Sequence, residues 1–351
     1  MQIFRNRLHA QHDARLEMYR GRLVPCHEKP DRVDHVLAEL ARRPVGLLRE
    51  PEPQAEGVLR AALEAVHTPR YLDFLATAWD AWVALDAANA EQDILPSVWP
   101  VRGFRADLLP DNFAARLGLF SFDAGSPIMA GTWTAAREGA ACAHAAALAV
   151  SGGARSAFAL TRPPGHHAGP DFFGGYCFLN NAALAAQTLR AHGAERVAVL
   201  DVDYHHGNGT QTIFYARPDV LTVSVHGDPR SEYPFFLGHA DERGEGAGLG
   251  ANLNLPLPSG SSAATWFDAL EAALQAVQRH GADALVVALG VDTFEGDPIS
   301  GFHLTSADYL RLGERLARAG LPSVFTFEGG YAVAEVGVNV VNVLDGFVGA
   351  T

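Results

Sequence analysis

The sequence predicts an α/β protein, an open, mostly parallel sheet with helices on both faces. From residue 132 onward, short continuous apolar runs alternate with longer segments of helical spacing, the pattern of strands buried on both sides by crossover helices. Five of those runs end in polar, titratable or glycine-rich stretches, which places the stretches at one sheet edge, where open α/β sheets bind ligands. No linker or internal repeat breaks the alternation, so residues 1–351 are expected to form a single domain.

Taken in order, Cys26-His-Glu-Lys-Pro30 has loop character. Asp31 to Leu40 has helical apolar spacing, with Asp31 suited to cap it. Val58 to His67 and Tyr71 to Ala88 also read as helices. From Glu91 to Pro127 periodicity is lost, in a stretch carrying Pro96, Pro100 and Pro110 with Trp99, Phe104, Phe113, Phe120 and Phe122. So long a loop is commonly functional. Its aromatics predict packing at the mouth of a site or against another subunit. Thr132 to Val150 is an alanine-rich helix. There follow strand Ala157 to Leu160, helix Asn180 to His192, strand Val197 to Asp201, helix Gly209 to Ala216 and strand Val220 to Val225. After the glycine-rich loop Gly244 to Gly250 come helix Ala263 to Arg279, strand Ala284 to Leu289, helix Ser306 to Ala319, strand Ser323 to Phe327 and helix Val336 to Phe347.

The 48% apolar and 19% charged content predicts a substantial buried core. A net charge of -13 with no basic stripe argues against a nucleic-acid partner and suits a small cationic substrate. Cys26, Cys142 and Cys177 are too scattered for a disulfide framework or a zinc ribbon, which fits a reducing compartment. The first ten residues lack the apolar core of a signal peptide, and no apolar stretch reaches membrane-spanning length, so a cytoplasmic protein without a membrane partner is expected.

The chemistry concentrates where the run Val197 to Asp201 ends, in Asp201, Asp203, His205 and His206, followed by Gly207 and Gly209. In an extended segment Asp203 and His205 share a face, with Val202, Tyr204 and His206 turned the other way. A carboxylate and an imidazole on one side are half of a zinc-type site, and Asp292, beyond another strand, can complete it while leaving a position open. A lone aspartate after a strand is ordinarily a helix cap, and Asp297-Pro298 by itself only initiates a turn. Convergence from several strand ends argues for a site. His166 and His167 would handle proton transfer, one as base for water and one as acid for a leaving amine. Asp201 would orient a histidine from behind, and Tyr331, after Gly329-Gly330, would donate to a developing oxyanion.

Arg162-Pro-Pro-Gly-His-His, Asp201-Val-Asp-Tyr-His-His-Gly-Asn-Gly-Thr, Gly290-Val-Asp-Thr and Glu328-Gly-Gly-Tyr, in that order, resemble the zinc-dependent histone deacetylase family with its arginase-like (arginase–deacetylase) fold. The resemblance implies hydrolysis of an N-acetyl amide to acetate and free amine. It implies one Zn2+ per subunit held by Asp203, His205 and Asp292, tandem histidines His166 and His167, and Tyr331 as donor to the transition state. It also implies K+ bound through Asp201, Asp203, His205, Ser224 and Val225. In some members both tandem histidines are backed by aspartates; here the second backing position is Asn208, so His167 is expected to be less basic than His166. The related arginase group uses two metals, but the absence of further metal-side aspartates near His226 fits a single zinc.

Within the family the sequence looks most like the bacterial acetylpolyamine amidohydrolases. That closer resemblance implies substrate contacts from Glu17, Tyr19, Tyr176, Tyr233 and Ile299, although a glutamate is by type mostly a surface residue. It also implies a homodimer through the 91–127 loop, and a narrow acidic tunnel for acetylputrescine, acetylcadaverine or acetylspermidine. The alternative is a deacetylase acting on acetyllysine in proteins or on other small acyl amides.

Overall fold

The computed structural model describes residues 1–54, 57–98 and 105–351; Trp99, Pro100 and Phe104 of the aromatic loop lie outside them. The chain starts with β1 (Gln2–Arg5), the hairpin strands β2 (Leu16–Tyr19) and β3 (Arg22–Pro25), α1 (Asp31–Arg42), β4 (Leu47–Arg49), α2 (Val58–Glu64), α3 (Pro69–Leu85) and α4 (Phe113–Phe120). The regular part follows as α5 (Thr132–Ser151), β5 (Ser156–Leu160), α6 (Asn181–Ala191), β6 (Val197–Asp201), α7 (Asn208–Phe214), β7 (Val220–Gly227) and β8 (Asn252–Leu257). It closes with α8 (Ala263–His280), β9 (Ala284–Leu289), α9 (Ser306–Ala317), β10 (Ser323–Phe327) and α10 (Val333–Gly349).

Eight strands form one sheet in the order β4-β1-β5-β10-β9-β6-β7-β8, every described pair parallel. The period of two divides the apolar runs between the faces. Ala157, Ala159, Val199 and Val286 pack under α5 and α6, while Phe158, Leu200, Leu285 and Val287 pack with residues of α1, α8, α9 and α10. Small residues on α5 and α6 let those helices lie close to each other and to the sheet. Helix ends follow local chemistry. Asn180 caps α6 through the Ala183 N–H at 2.8 Å, Thr305 and Asp308 form a capping box on α9, and Gly281 ends α8 in the left-handed region.

The strands that carry the titratable stretches, β5, β10, β9 and β6, are neighbours at the centre of the sheet. Their carboxyl ends, and hence the loops 161–167, 328–331, 290–297 and 202–207, meet at one edge.

Several elements depart from the sequence reading. Strands β1, β4 and the β2–β3 hairpin are only three or four residues long, too short for periodicity to register. In β8 the buried face carries Asn252 and Asn254 instead of apolar residues. Asp31 opens α1 but makes no side-chain cap. The 91–127 stretch is not structureless: Phe113, Leu117 and Phe120 repeat at helical spacing in α4, which Asn112 caps through the Ala115 N–H at 3.1 Å. Phe120 packs on Phe74 of α3 with ring centroids 4.8 Å apart, so these aromatics belong to the core. Finally, β6 ends at Asp201, and residues 202–206 turn instead of continuing extended.

Candidate active site

That turn is held by its own carboxylates. Asp201 Oδ1 accepts the Asp203 N–H at 3.1 Å, Asp203 Oδ1 accepts the His205 N–H at 2.9 Å, and Asp292 Oδ1 accepts the Tyr204 N–H at 2.8 Å. These bonds, and not strand alternation, bring Asp203 and His205 together and bury Tyr204 in the core. His205 Nδ1 lies 2.9 Å from Asp292 Oδ2 and 3.3 Å from Asp203 Oδ1. The three side chains offer ligand atoms within 4.8 Å of one another. Gly329 approaches them closely, and its N–H donates to Asp203 Oδ2 at 2.7 Å. A Cβ there would stand 2.5 Å from that oxygen and 2.7 Å from Asp292 Oδ2, so the close backbone approach requires glycine. Burial works against an imidazolium at His205, but the hydrogen bonds and charges of Asp203 and Asp292 outweigh it and raise its pKa. Burial and the adjacent Asp203 charge push Asp292 up. A buried cluster that attracts positive charge this strongly fits a divalent cation, and one imidazole with two carboxylates is a zinc donor set.

The tandem histidines sit beside it on the loop after β5, ring centroids 4.0 Å apart. Asp201 Oδ2 lies 2.9 Å from His166 Nδ1, and Asn208 Oδ1 lies 2.6 Å from His167 Nδ1. Their electrostatics diverge. Burial lowers both, but the carboxylates of Asp201, Asp203 and Glu328 overcome it at His166 and raise it to about 10. At His167 burial and the neighbouring His166 and His205 drive the pKa well below the usual value. One ring is held protonated and the other neutral.

Glu328, Glu28 and Arg32 have positioning roles that the motifs did not reveal. The Glu328 Oε2 accepts the N–H groups of Gly165 and His166 at 2.6 and 3.1 Å, fixing the histidine loop to the end of β10. Glu28 sits between two fully buried guanidiniums, 2.8 Å from Arg32 Nη1 and 2.7 Å from Arg162 Nε. Arg32 also donates to the carbonyls of Gly330, at 2.7 Å, and Glu328. Asp297 does more than initiate a turn: its Oδ2 accepts the Tyr331 N–H at 2.7 Å. Tyr331 is thus clamped on both sides, and burial holds its hydroxyl protonated.

A cavity of about 280 Å³ leads to this group, with His167, His205 and Tyr331 at its floor. Its walls include Glu17, Tyr19, Tyr176, Tyr233 and Ile299, together with Asp123, Glu232 and Arg20. Glu17 is 1% exposed and so not a surface residue; its Oε1 accepts the Tyr176 hydroxyl at 2.9 Å and its Oε2 the His27 N–H at 3.3 Å. Asp123, from the 91–127 stretch, was not visible as a site residue in the sequence. It accepts the Tyr233 hydroxyl and the Gly175 N–H, each at 2.7 Å. Phe122 stacks on Tyr233, centroids 5.9 Å apart, and Tyr233 stands edge-on to His167 at 5.1 Å.

Of the remaining candidates, Ser224 pairs in register with Asp201 across β6 and β7, next to Val225. His206 is buried on the far side of the turn, hydrogen-bonded to Gln211 at 3.0 Å. It packs against His226, a residue of β7 whose Nε2 reaches the Gly238 carbonyl at 2.8 Å. Among the described residues no helix is long and apolar enough to cross a membrane.

A parallel α/β sheet presenting this constellation at its carboxyl edge defines a class, and residues 26–347 match the histone deacetylase domain. The chain belongs to the histone deacetylase family. Acetylpolyamine amidohydrolase 2 of Pseudomonas aeruginosa is 52% identical over 341 residues, covering 97% of each chain. The acetylpolyamine amidohydrolase of Mycoplana ramosa is 45% identical over 349 residues, covering 99% of this chain and 100% of its own. A crystal structure of acetylpolyamine aminohydrolase from Burkholderia pseudomallei superposes with a TM-score of 0.93 at 41% identity, covering 100% of this chain and 99% of that one.

Proposed function

We propose that the protein removes acetyl groups from small acetylated polyamines, giving acetate and free amine. The observation that carries this reading is the cavity. A narrow recess walled by carboxylates and aromatic rings, closed at its floor by His167, His205 and Tyr331, suits a slim cationic chain. Relatives that match almost end to end and bear the acetylpolyamine amidohydrolase name support it.

Asp203, His205 and Asp292 would hold a zinc ion. When bound, that ion would polarise the amide carbonyl and lower the pKa of water toward neutrality. His167, kept neutral, is placed to accept a proton, with Asn208 fixing its Nδ1. His166, kept protonated by Asp201, is placed to donate toward the leaving amine. Tyr331 donates its hydroxyl toward the oxygen on which charge develops. The buried carboxylates and phenols along the walls replace water around the ammonium tail. K+ would occupy the turn after β6, through Asp201, Asp203, His205, Ser224 and Val225; the in-register pairing of Asp201 with Ser224 supports that placement. Exposed Leu95, Val98, Leu108 and Leu109 in the 91–127 stretch support a homodimer through it. Three buried, unpaired cysteines suit the cytoplasm.

Steady-state kinetics on acetylputrescine, acetylcadaverine and acetylspermidine, set against an acetyllysine peptide, test the reading. A peptide kcat/KM above the diamine values would overturn it.

A further inference from the structure

Behind the tandem histidines lies a second set of metal-ligating atoms. Among the described residues two groups bring three such atoms within 4.8 Å of one another: Asp203, His205 and Asp292, and also His166, Cys177 and Glu328. The second group is buried and comes from three separate segments: the loop after β5, the approach to α6 and the end of β10. Each member keeps a free donor position. His166 Nδ1 is engaged by Asp201, so Nε2, once its proton leaves, is the nitrogen available to a metal. Glu328 Oε2 accepts two backbone N–H groups, whereas its Oε1 accepts the Thr326 hydroxyl at 2.9 Å and retains a lone pair. The Cys177 thiol donates to the Gly175 carbonyl at 3.3 Å, with its sulfur lone pairs unused among the described residues.

We propose that His166, Cys177 and Glu328 form a second, inhibitory cation site for thiophilic divalent ions such as excess Zn2+ or Cd2+. Sulfur, imidazole nitrogen and carboxylate oxygen are the donors such ions take, and the first site offers no sulfur. Tetrahedral zinc separates its ligand atoms by about 3.5 Å, so donors within 4.8 Å of one another need draw in by at most about 1.3 Å. Binding forms one metal–sulfur, one metal–nitrogen and one metal–oxygen bond and releases two protons to solvent, one from the thiol and one from His166 Nε2, with no change of oxidation state. His167, which lines the cavity, packs directly on His166 and so separates the cavity from this group by one ring. The inhibition rests on the proton-donating role proposed for His166, because the ion takes the place of its Nε2 proton.

The test titrates Cd2+ into holoenzyme carrying one Zn2+ per protomer, reading bound metal after gel filtration, ultraviolet thiolate-to-cadmium charge transfer, and the rate on acetylputrescine. A second equivalent that brings a thiolate band and a falling rate is expected. Cys177→Ser should keep its zinc and its basal rate, lose the band, and need roughly tenfold more Cd2+ for inhibition. Cys142→Ala should behave as wild type. X-ray absorption at the cadmium edge of the wild-type protein should find one sulfur among nitrogen and oxygen neighbours, a reading independent of whether any variant folds. No second equivalent, a second equivalent without sulfur, or a band that survives in Cys177→Ser overturns the site. A band with an undiminished rate overturns the inhibition, and with it the role of His166, without touching the substrate assignment.

Discussion

The Glu17 carboxylate accepts the Tyr176 hydroxyl at 2.9 Å in the wall of the cavity. Burial raises Glu17 from 4.5 to about 7, against the stabilising bonds from Tyr176 and the His27 backbone. The carboxylate therefore gains its charge, and its attraction for an ammonium, only as pH rises through neutrality. For acetylputrescine, kcat/KM should carry an extra ascending limb near pH 7 that a neutral N-alkylacetamide lacks. Glu17→Gln should remove that limb and lower the cationic kcat/KM at pH 8 by roughly tenfold or more. The stability sign follows from linkage. With its pKa raised on folding, the protonated acid favours the folded state, so stability contributed below pH 4.5 is lost as pH climbs toward 7. Glu17→Gln should raise Tm at pH 8 and leave it nearly unchanged at pH 4.5.

Tyr331 is held from both sides, its N–H by Asp297 and the preceding carbonyl of Gly330 by Arg32. Such bracing suits a hydroxyl whose position matters. Tyr331→Phe should lower kcat by about 10²–10³ with zinc content unchanged by elemental analysis. An unaffected rate would remove Tyr331 from the oxyanion role.

Because Asp201 backs His166 and the neutral Asn208 backs His167, the two rings should titrate in a fixed order. In NMR titrations of the zinc-loaded protein, His166 should stay protonated to higher pH than His167. Asn208→Asp should move His167 upward by adding a charge at its Nδ1, and Asp201→Asn should move His166 downward. The reverse order in the unsubstituted protein would overturn this division.

Glu28 couples Arg32, which holds the Tyr331 loop, to Arg162, which opens the histidine loop. Removing its charge would leave two buried guanidiniums uncompensated. Glu28→Gln should cost roughly 3–5 kcal/mol of stability, read as a lowered Tm. Substituting an exposed pair such as Arg105 and Asp107 should cost little.

The central sheet was legible because strands buried on both faces leave continuous apolar runs, and β5, β6, β9 and β10 are such strands. The gathering of Asp203, His205, Asp292 and the tandem histidines was legible too, since each follows one of those runs. Glu28, Asp123 and Asp297 were not. Their partners are 134, 110 and 34 residues away for Arg162, Tyr233 and Tyr331, and no local pattern encodes such pairing. Glu17 was ambiguous for a related reason. In β2 the buried side is the polar one, Leu16 being 44% exposed while Glu17 faces the cavity, the inverse of the pattern that marks a strand. His206 is buried too, but its Gln211 and His226 neighbours give it a packing role.

Leu108 and Leu109 are 57% and 48% exposed, and Leu95 and Val98 extend the apolar character of the same stretch. Scattered exposed leucines are ordinary, but a run of them in a segment whose other end, Phe122 and Asp123, lines the active-site cavity would couple assembly to selectivity. Leu108→Asp combined with Leu109→Asp should convert a dimer to monomers in sedimentation velocity, at little cost to Tm because neither side chain is buried. The monomer should hydrolyse acetylputrescine with a higher KM and gain rate on an acetyllysine peptide as the entrance widens. An unchanged sedimentation coefficient would mean that the dimer forms elsewhere or not at all. Monomers with unaltered selectivity would mean that the tunnel is complete within one chain.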